Sequence, residues 1–173
     1  LKKLIININN TILIISKMTT ATIRLAKEFE NLTKDPVENV IFEIKNDNIL
    51  EWTFILFGPH GSPYEGGVYT GEIKFPSNFP FSPPVVRFTC KLFHPNVYPD
   101  GNICISILHE GIDEFGYEHD SLRWNPIQQV RTIFKSIIIL LDDPNPDSAA
   151  NMDAGLLFKN DKKAYYKKIR EEQ

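Results

Sequence analysis

Between His94 and Leu108 the chain reads HPNVYPDGNICISIL, a His-Pro-Asn turn with Cys104 eight positions after Asn96. Proline fixes the turn, and a carboxamide and a thiol are gathered into one short loop. A thiol so placed can carry an acyl group as a thioester, and a neighbouring carboxamide can donate to the oxyanion formed when that thioester is attacked. An asparagine in a turn can also serve only its local backbone. The surrounding His-Pro-Asn run and the downstream cysteine favour the chemical role.

Two other chemistries fit some of the same residues. Cys90, His94, Cys104 and His109 follow C-x3-H-x9-C-x4-H, two thiols and two imidazoles that are a legitimate zinc set. The spacing lacks a paired Cys-x2-Cys knuckle, Pro95 marks a turn, and Cys90 reads as a small buried apolar residue in a strand. A cysteine-hydrolase reading needs an imidazole aimed at the nucleophile, and His94, His109 and His119 are available. Yet Glu110, Asp113, Glu114, Glu118 and Asp120 follow Cys104 with no lysine or arginine before Arg123. Negative charge disfavours a thiolate, so the pattern predicts a thiol without a strongly depressed pKa, suited to accepting an already activated acyl group.

The elements that must position this loop follow from periodicity. Thr19 and Thr20 cap a helix whose apolar positions Ile23, Leu25, Ala26, Phe29 and Leu32 end before Asp35-Pro36, with Arg24 and Lys27 toward solvent. Short extended segments follow at Val40 to Ile44, Leu50 to Phe57, Val68 to Phe75 and Val85 to Thr89, with Trp52, Phe54 and Leu56 on one face. The four prolines of residues 75–84, FPSNFPFSPP, make a rigid connector in which Phe79-Pro80 is open to the cis form. Ile127 to Leu141 reads as a long apolar helix crossing the sheet, ended by DDPNP, and shorter helices follow over Ala149 to Phe158 and Asp161 to Glu172. The fold class is α+β: an N-terminal helix, a four-stranded antiparallel meander, a long crossing helix and C-terminal helices.

At 173 residues, 42% hydrophobic and 24% charged, the chain suits one domain. A net charge of −3 offers no electrostatic footprint for nucleic acid. Two cysteines do not make a disulfide scaffold and point to a reducing compartment. No run of about 18 apolar residues predicts direct membrane insertion. Residues 1–17 mix isoleucine with asparagine, and Met18 stands directly before the first helix cap, so the expectation is an upstream extension over 1–17 and a catalytic core over 18–173.

From about Met18 onward the chain resembles the ubiquitin-conjugating enzymes. The motifs stand in order: the amphipathic first helix, GP and YEGG around Gly58 to Gly67, FPFSPP, HPN, GNICISIL, WNP and DPNPDSAAN. The resemblance implies that Cys104 receives ubiquitin from the activating enzyme by transthiolation and passes it to a lysine amine. It implies that Asn96 stabilises the oxyanion or holds the loop, and that His94 and Pro95 shape the loop. Ser148 occupies a gate position where relatives often carry aspartate, which leaves the amine-activating group open between Asp147, the acidic loop and the partners.

The insertion HEGIDEFGYEHDS, residues 109–121, read alone is a solvated loop. Its place directly after Cys104, together with RFTCKLFHPNVYPDG, resembles the acidic-loop subgroup serving endoplasmic-reticulum-associated degradation. That implies proteasome-directed chains, with Glu110, Asp113, Glu114, Glu118 and Asp120 positioning an acceptor ubiquitin. Arg24 and Lys27, with Phe81, Pro126 and Ile127, match the surface that meets the activating enzyme and RING-type ligases. No metal and no cofactor of its own is implied, since the activating enzyme consumes the ATP. The implied setting is cytoplasmic, with recruitment to the cytosolic face of the endoplasmic reticulum by a partner. Two alternatives stay open: the same fold charged with another ubiquitin-like modifier, and a catalytically silent scaffold, which would need neither Cys104 nor Asn96.

Overall fold

The computed structural model describes residues 19–114 and 118–172. Met18 and the extension expected over residues 1–17 lie outside the described residues.

Helix α1 (Thr20–Lys34) opens on a reciprocal cap, in which the Thr22 N–H donates to Thr19 Oγ1 at 3.2 Å and the Thr19 N–H to Thr22 Oγ1 at 2.8 Å. It ends where the Asp35 N–H donates to the Asn31 carbonyl, ahead of Pro36. Its buried stripe is Ala21, Leu25, Glu28 and Leu32, with Phe29 half-buried. This corrects the periodicity read from sequence. Ile23 and Ala26 are exposed, lying about 200° and 100° round the helix from Leu25.

Strands β1 (Val40–Ile44), β2 (Glu51–Phe57), β3 (Val68–Lys74) and β4 (Val85–Phe88) form one antiparallel sheet in chain order. Trp52, Phe54 and Leu56 alternate inward as the sequence predicts, and the register sets Trp52 opposite Ile73 and Leu56 opposite Tyr69. Helix α2 (Val130–Asp142) crosses that inner face, with Phe134 packed edge-on against Phe42 at 4.7 Å and Phe54 at 4.8 Å between ring centroids. Trp52 fills the space toward α1, 5.1 Å from Phe29, and its indole N–H donates to the Ile49 carbonyl at 2.8 Å.

Helix α2 begins three residues later than the apolar run suggests. The Asn125 side chain accepts the Ile127 N–H at 3.1 Å and its carbonyl accepts the Gln128 N–H at 3.0 Å, so WNPIQ is a turn. Ile127 is therefore on the surface, 83% exposed, instead of in the core. Helices α3 (Met152–Asn160) and α4 (Lys162–Glu172) likewise start at asparagine and aspartate caps. Asn151 Oδ1 accepts the Ala154 N–H at 3.2 Å and Asp161 Oδ1 the Ala164 N–H at 3.0 Å.

Two contacts anchor the site to this frame. The Tyr64 hydroxyl donates to the Phe93 carbonyl at 2.7 Å and accepts from Tyr165 of α4 at 2.7 Å, holding the approach to the His-Pro-Asn turn. In the proline-rich connector the Phe79–Pro80 peptide is cis, and the Pro80 carbonyl accepts the Trp124 indole N–H at 2.9 Å.

Candidate active site

The loop that carries the thiol is folded by its own sequence. Tyr98-Pro99-Asp100-Gly101 closes a turn through the Gly101 N–H and the Tyr98 carbonyl at 2.9 Å. Gly101 has φ +88°, and a side chain there would meet the Phe88 carbonyl oxygen at 2.0 Å, so this turn requires glycine. The chain returns antiparallel, with Val97 bridged to Ile103 and the Cys104 N–H donating to the Asn96 carbonyl at 2.9 Å. Asn96 and Cys104 are thus opposite one another, as their spacing suggests.

His94 is fully buried. Its Nε2–H donates to the Leu140 carbonyl of α2 at 2.8 Å and its Nδ1 accepts the Asn96 N–H at 2.9 Å. Burial pushes its pKa down to about 4, against a weaker opposing pull from the Leu140 carbonyl, so the ring is neutral. Both nitrogens are spent, which removes His94 as a metal ligand or base. The buried Pro95 lends its carbonyl to the Asn151 N–H at 2.9 Å.

The Asn96 carboxamide is 2% exposed and fully engaged. Its Nδ2 donates to the Asn145 carbonyl at 2.8 Å and the Ser148 carbonyl at 3.0 Å, while its Oδ1 accepts the Asn145 N–H at 2.8 Å. Both amide hydrogens hold the 145–148 segment in place. That segment brings Ser148 to the thiol: the Ser148 and Tyr98 hydroxyls lie close enough to Cys104 to lower its pKa. Cys104 is half-buried and its thiol pKa lies above the usual range. Burial is the largest cause and the charge of Glu118 adds to it, while the Tyr98 and Ser148 hydrogen bonds act the other way.

Tyr98 was not singled out from sequence, yet a signal existed. It stands two residues after Asn96 in an extended stretch, so the two share a face with the thiol opposite. Asp147, considered for amine activation, pairs with Lys159 at 2.6 Å. Cys90 is half-buried, not sequestered, and its thiol donates to the Thr70 carbonyl at 3.5 Å. Among the described residues no three His, Cys, Asp or Glu side chains are grouped to hold a metal. The Nδ1 atoms of His109 and His119 are taken by Glu118 at 2.9 Å and the Ser121 hydroxyl at 2.8 Å.

The acidic residues divide into two kinds. Glu118 is turned inward, and its carboxylate accepts from Ser106 Oγ at 2.8 Å, His109 Nδ1 at 2.9 Å and Arg123 at 2.5 Å. Burial raises its carboxyl, but those bonds and the charges of His109 and Arg123 outweigh this and keep the pKa low. Glu110 accepts from the Ser82 hydroxyl at 3.0 Å, and Asp113 from the Glu118 N–H at 2.7 Å. Glu114 and Asp120 are exposed.

On the adjoining surface Phe81 is 64% exposed, and Pro126 and Ile127 are exposed beside it in the sense that Trp124 ties their two loops together. Lys27 faces solvent and pairs with Glu30 at 3.0 Å. Arg24 does not face solvent as expected. It donates to the buried Glu28 at 2.8 Å, to the Gln128 carbonyl at 2.8 Å and to the Pro126 carbonyl at 3.3 Å, because the free carbonyls ahead of α2 draw its fork inward. Glu28 in turn accepts the Val130 N–H, the first of α2, at 3.3 Å.

Fold and site together define a protein built around one half-buried thiol in a tightly hydrogen-bonded loop. The family model described as ubiquitin-conjugating enzyme matches residues 24–173. Human ubiquitin-conjugating enzyme E2 G2 is 43% identical over 150 residues, covering 86% of this chain and 91% of its own. Ubiquitin-conjugating enzyme E2 13 of Arabidopsis thaliana is 43% identical over 151 residues, 86% and 91% of the two chains. The E2-18 kDa enzyme of Schizosaccharomyces pombe is 42% identical over 149 residues, 85% and 90%. The chain belongs to the ubiquitin-conjugating enzyme family and is an enzyme that transfers ubiquitin.

Proposed function

We propose that Cys104 carries ubiquitin as a thioester between the activating enzyme and a lysine amine. The observation that carries this reading is the thiol's position, half-buried and paired through its backbone with Asn96, whose carboxamide holds the Ser148 segment beside it. In loading, the Cys104 sulfur attacks the thioester on the activating enzyme, whose thiolate leaves. In transfer, a neutral lysine amine attacks the new thioester, the oxyanion collapses as the C–S bond breaks, and the proton lost by the amine nitrogen ends on the departing Cys104 thiolate. A raised thiol pKa makes Cys104 a slow leaving group, which favours a carrier that waits for its amine. Asn96 acts chiefly as the strut of the 145–148 segment, since donating to an oxyanion means giving up a bond to Asn145 or Ser148. The Tyr98 and Ser148 hydroxyls orient the incoming amine.

Phe81, Pro126 and Ile127, with Lys27 nearby on α1, form the docking face for a RING-type ligase, and Arg24 sets the 126–128 turn from behind. The exposed carboxylates of the insertion orient an acceptor ubiquitin, and the chains built are directed to the proteasome. The enzyme holds no resident cofactor or metal, since ATP is spent by the activating enzyme. It acts in the cytoplasm on protein substrates, recruited to the cytosolic face of the endoplasmic reticulum by a membrane-bound partner. Among the described residues no helix is long and apolar enough to cross a membrane.

The test is charging with ubiquitin, activating enzyme and ATP, resolved with and without reducing agent. A thiol-sensitive adduct that Cys104→Ala abolishes is expected. No adduct from folded wild type, or one that survives in Cys104→Ala, overturns the assignment.

A further inference from the structure

The insertion after Cys104 is sewn shut at its neck. The Trp124 N–H donates to the His109 carbonyl at 2.9 Å, and Arg123 donates to the Gly111 and Glu110 carbonyls at 2.8 Å each. One bond joins this neck to the thiol loop itself: Ser106, two residues after Cys104, gives its hydroxyl proton to Glu118 at 2.8 Å. The same carboxylate takes His109 and Arg123, so three segments of chain meet on two oxygen atoms. Glu118 is about one-fifth exposed and already accepts from three side chains, whereas Glu114 and Asp120 stand in solvent.

We infer that Glu118 is a positioning residue for ubiquitin transfer: it locks the acidic insertion onto the Cys104 loop through Ser106, and so fixes where Glu114 and Asp120 stand relative to the thiol. This rests on the reading of those exposed carboxylates as the acceptor-orienting ones. The five acidic residues therefore act in two different ways. Glu118 works through hydrogen bonding, so a neutral side chain of the same shape can replace it. Glutamine keeps an acceptor for Arg123 and an amide that can meet Ser106, whereas alanine keeps nothing.

Glu118→Gln, Glu118→Ala and Ser106→Ala are compared with wild type for single-turnover transfer from charged Cys104 to acceptor ubiquitin, each checked by thermal melt. Expected losses are about tenfold for Glu118→Ala, about threefold for Ser106→Ala and less than threefold for Glu118→Gln. A second readout is alkylation of Cys104 near pH 8 in the uncharged enzyme. Both Glu118 variants remove a negative charge from the thiol's surroundings and should alkylate severalfold faster, whereas Ser106→Ala should not. Wild-type rates in Glu118→Ala, or equal losses in Glu118→Gln and Glu118→Ala, overturn the inference. If Glu118→Ala does not fold, the Glu118→Gln and Ser106→Ala pair decides it: a tenfold loss in Glu118→Gln with none in Ser106→Ala means charge rather than the pin matters. If wild type itself never charges, the functional reading fails, while the alkylation comparison still tests whether Glu118 is held beside the thiol.

Discussion

The two walls of the thiol are built by opposite means. On one side His94, Pro95 and Asn96 are buried and neutral, and every polar atom of the histidine ring and the carboxamide is bonded to backbone. On the other side the insertion is held by one partly buried carboxylate, Glu118, bonded to Arg123, His109 and Ser106. Buried neutral bonds are expensive to leave unmade and indifferent to salt. Charged ones that still reach solvent can be tuned by salt and by a docking partner. On the proposed function, the difference gives rigidity to the wall beside the thiol and adjustability to the insertion.

The largest effect that would break this contrast is on the buried wall. Asn96→Ala removes three hydrogen bonds and leaves the Asn145 N–H without its acceptor, at a cost of about 4 kcal/mol. A lowered denaturation midpoint with transfer slowed to ubiquitin and to free lysine alike is expected; a stability within 1 kcal/mol of wild type, roughly the value of one hydrogen bond, would show the strut to be dispensable.

Acid should find the same wall through His94. Its folded pKa of about 4 lies below the ordinary value of about 6.5, so the unfolded chain takes the proton first. The stability this contributes is present above pH 6.5 and is lost as pH falls toward 4, a change on the order of 3 kcal/mol. Denaturation midpoints between those pH values should slope less in His94→Gln, and parallel curves would contradict a neutral buried ring.

Much of the buried wall was legible in the sequence because it is local. The HPN turn, the eight-residue spacing to Cys104 and the strand alternation of Trp52, Phe54 and Leu56 depend on near neighbours and fixed periods. What escaped depends on partners far along the chain. Arg24 looked solvent-facing because its acceptors at Pro126 and Gln128 lie over a hundred positions away. The start of α2 was placed too early because the Asn125 turn competes with an apolar run that reads as helix. Glu118 was grouped with the exposed carboxylates because charge alone does not say which way a side chain turns.

Arg24 sharpens the comparison from a third place. Arg24→Ala leaves the buried Glu28 carboxylate without its guanidinium and frees the turn that presents Ile127, so a loss of about 2 kcal/mol in stability is expected, with weakened ligase binding measured by titration. Unchanged binding would mean the turn is held without it. The smallest effect is expected at Asp147, whose pairing with Lys159 is largely exposed. Asp147→Asn should change stability by less than about 0.5 kcal/mol and leave the transfer rate within twofold. A large loss in transfer would return Asp147 to the list of groups that act on the amine.

The most direct test of the two-wall account is single-turnover discharge of charged enzyme to two acceptors, ubiquitin and free lysine, in Asn96→Ala and in the double variant Glu114→Gln/Asp120→Asn. The account expects the ratio of ubiquitin to free-lysine discharge to stay at the wild-type value in the first and to fall about tenfold in the second. An unchanged ratio in the double variant, or a fallen ratio in Asn96→Ala, would contradict it.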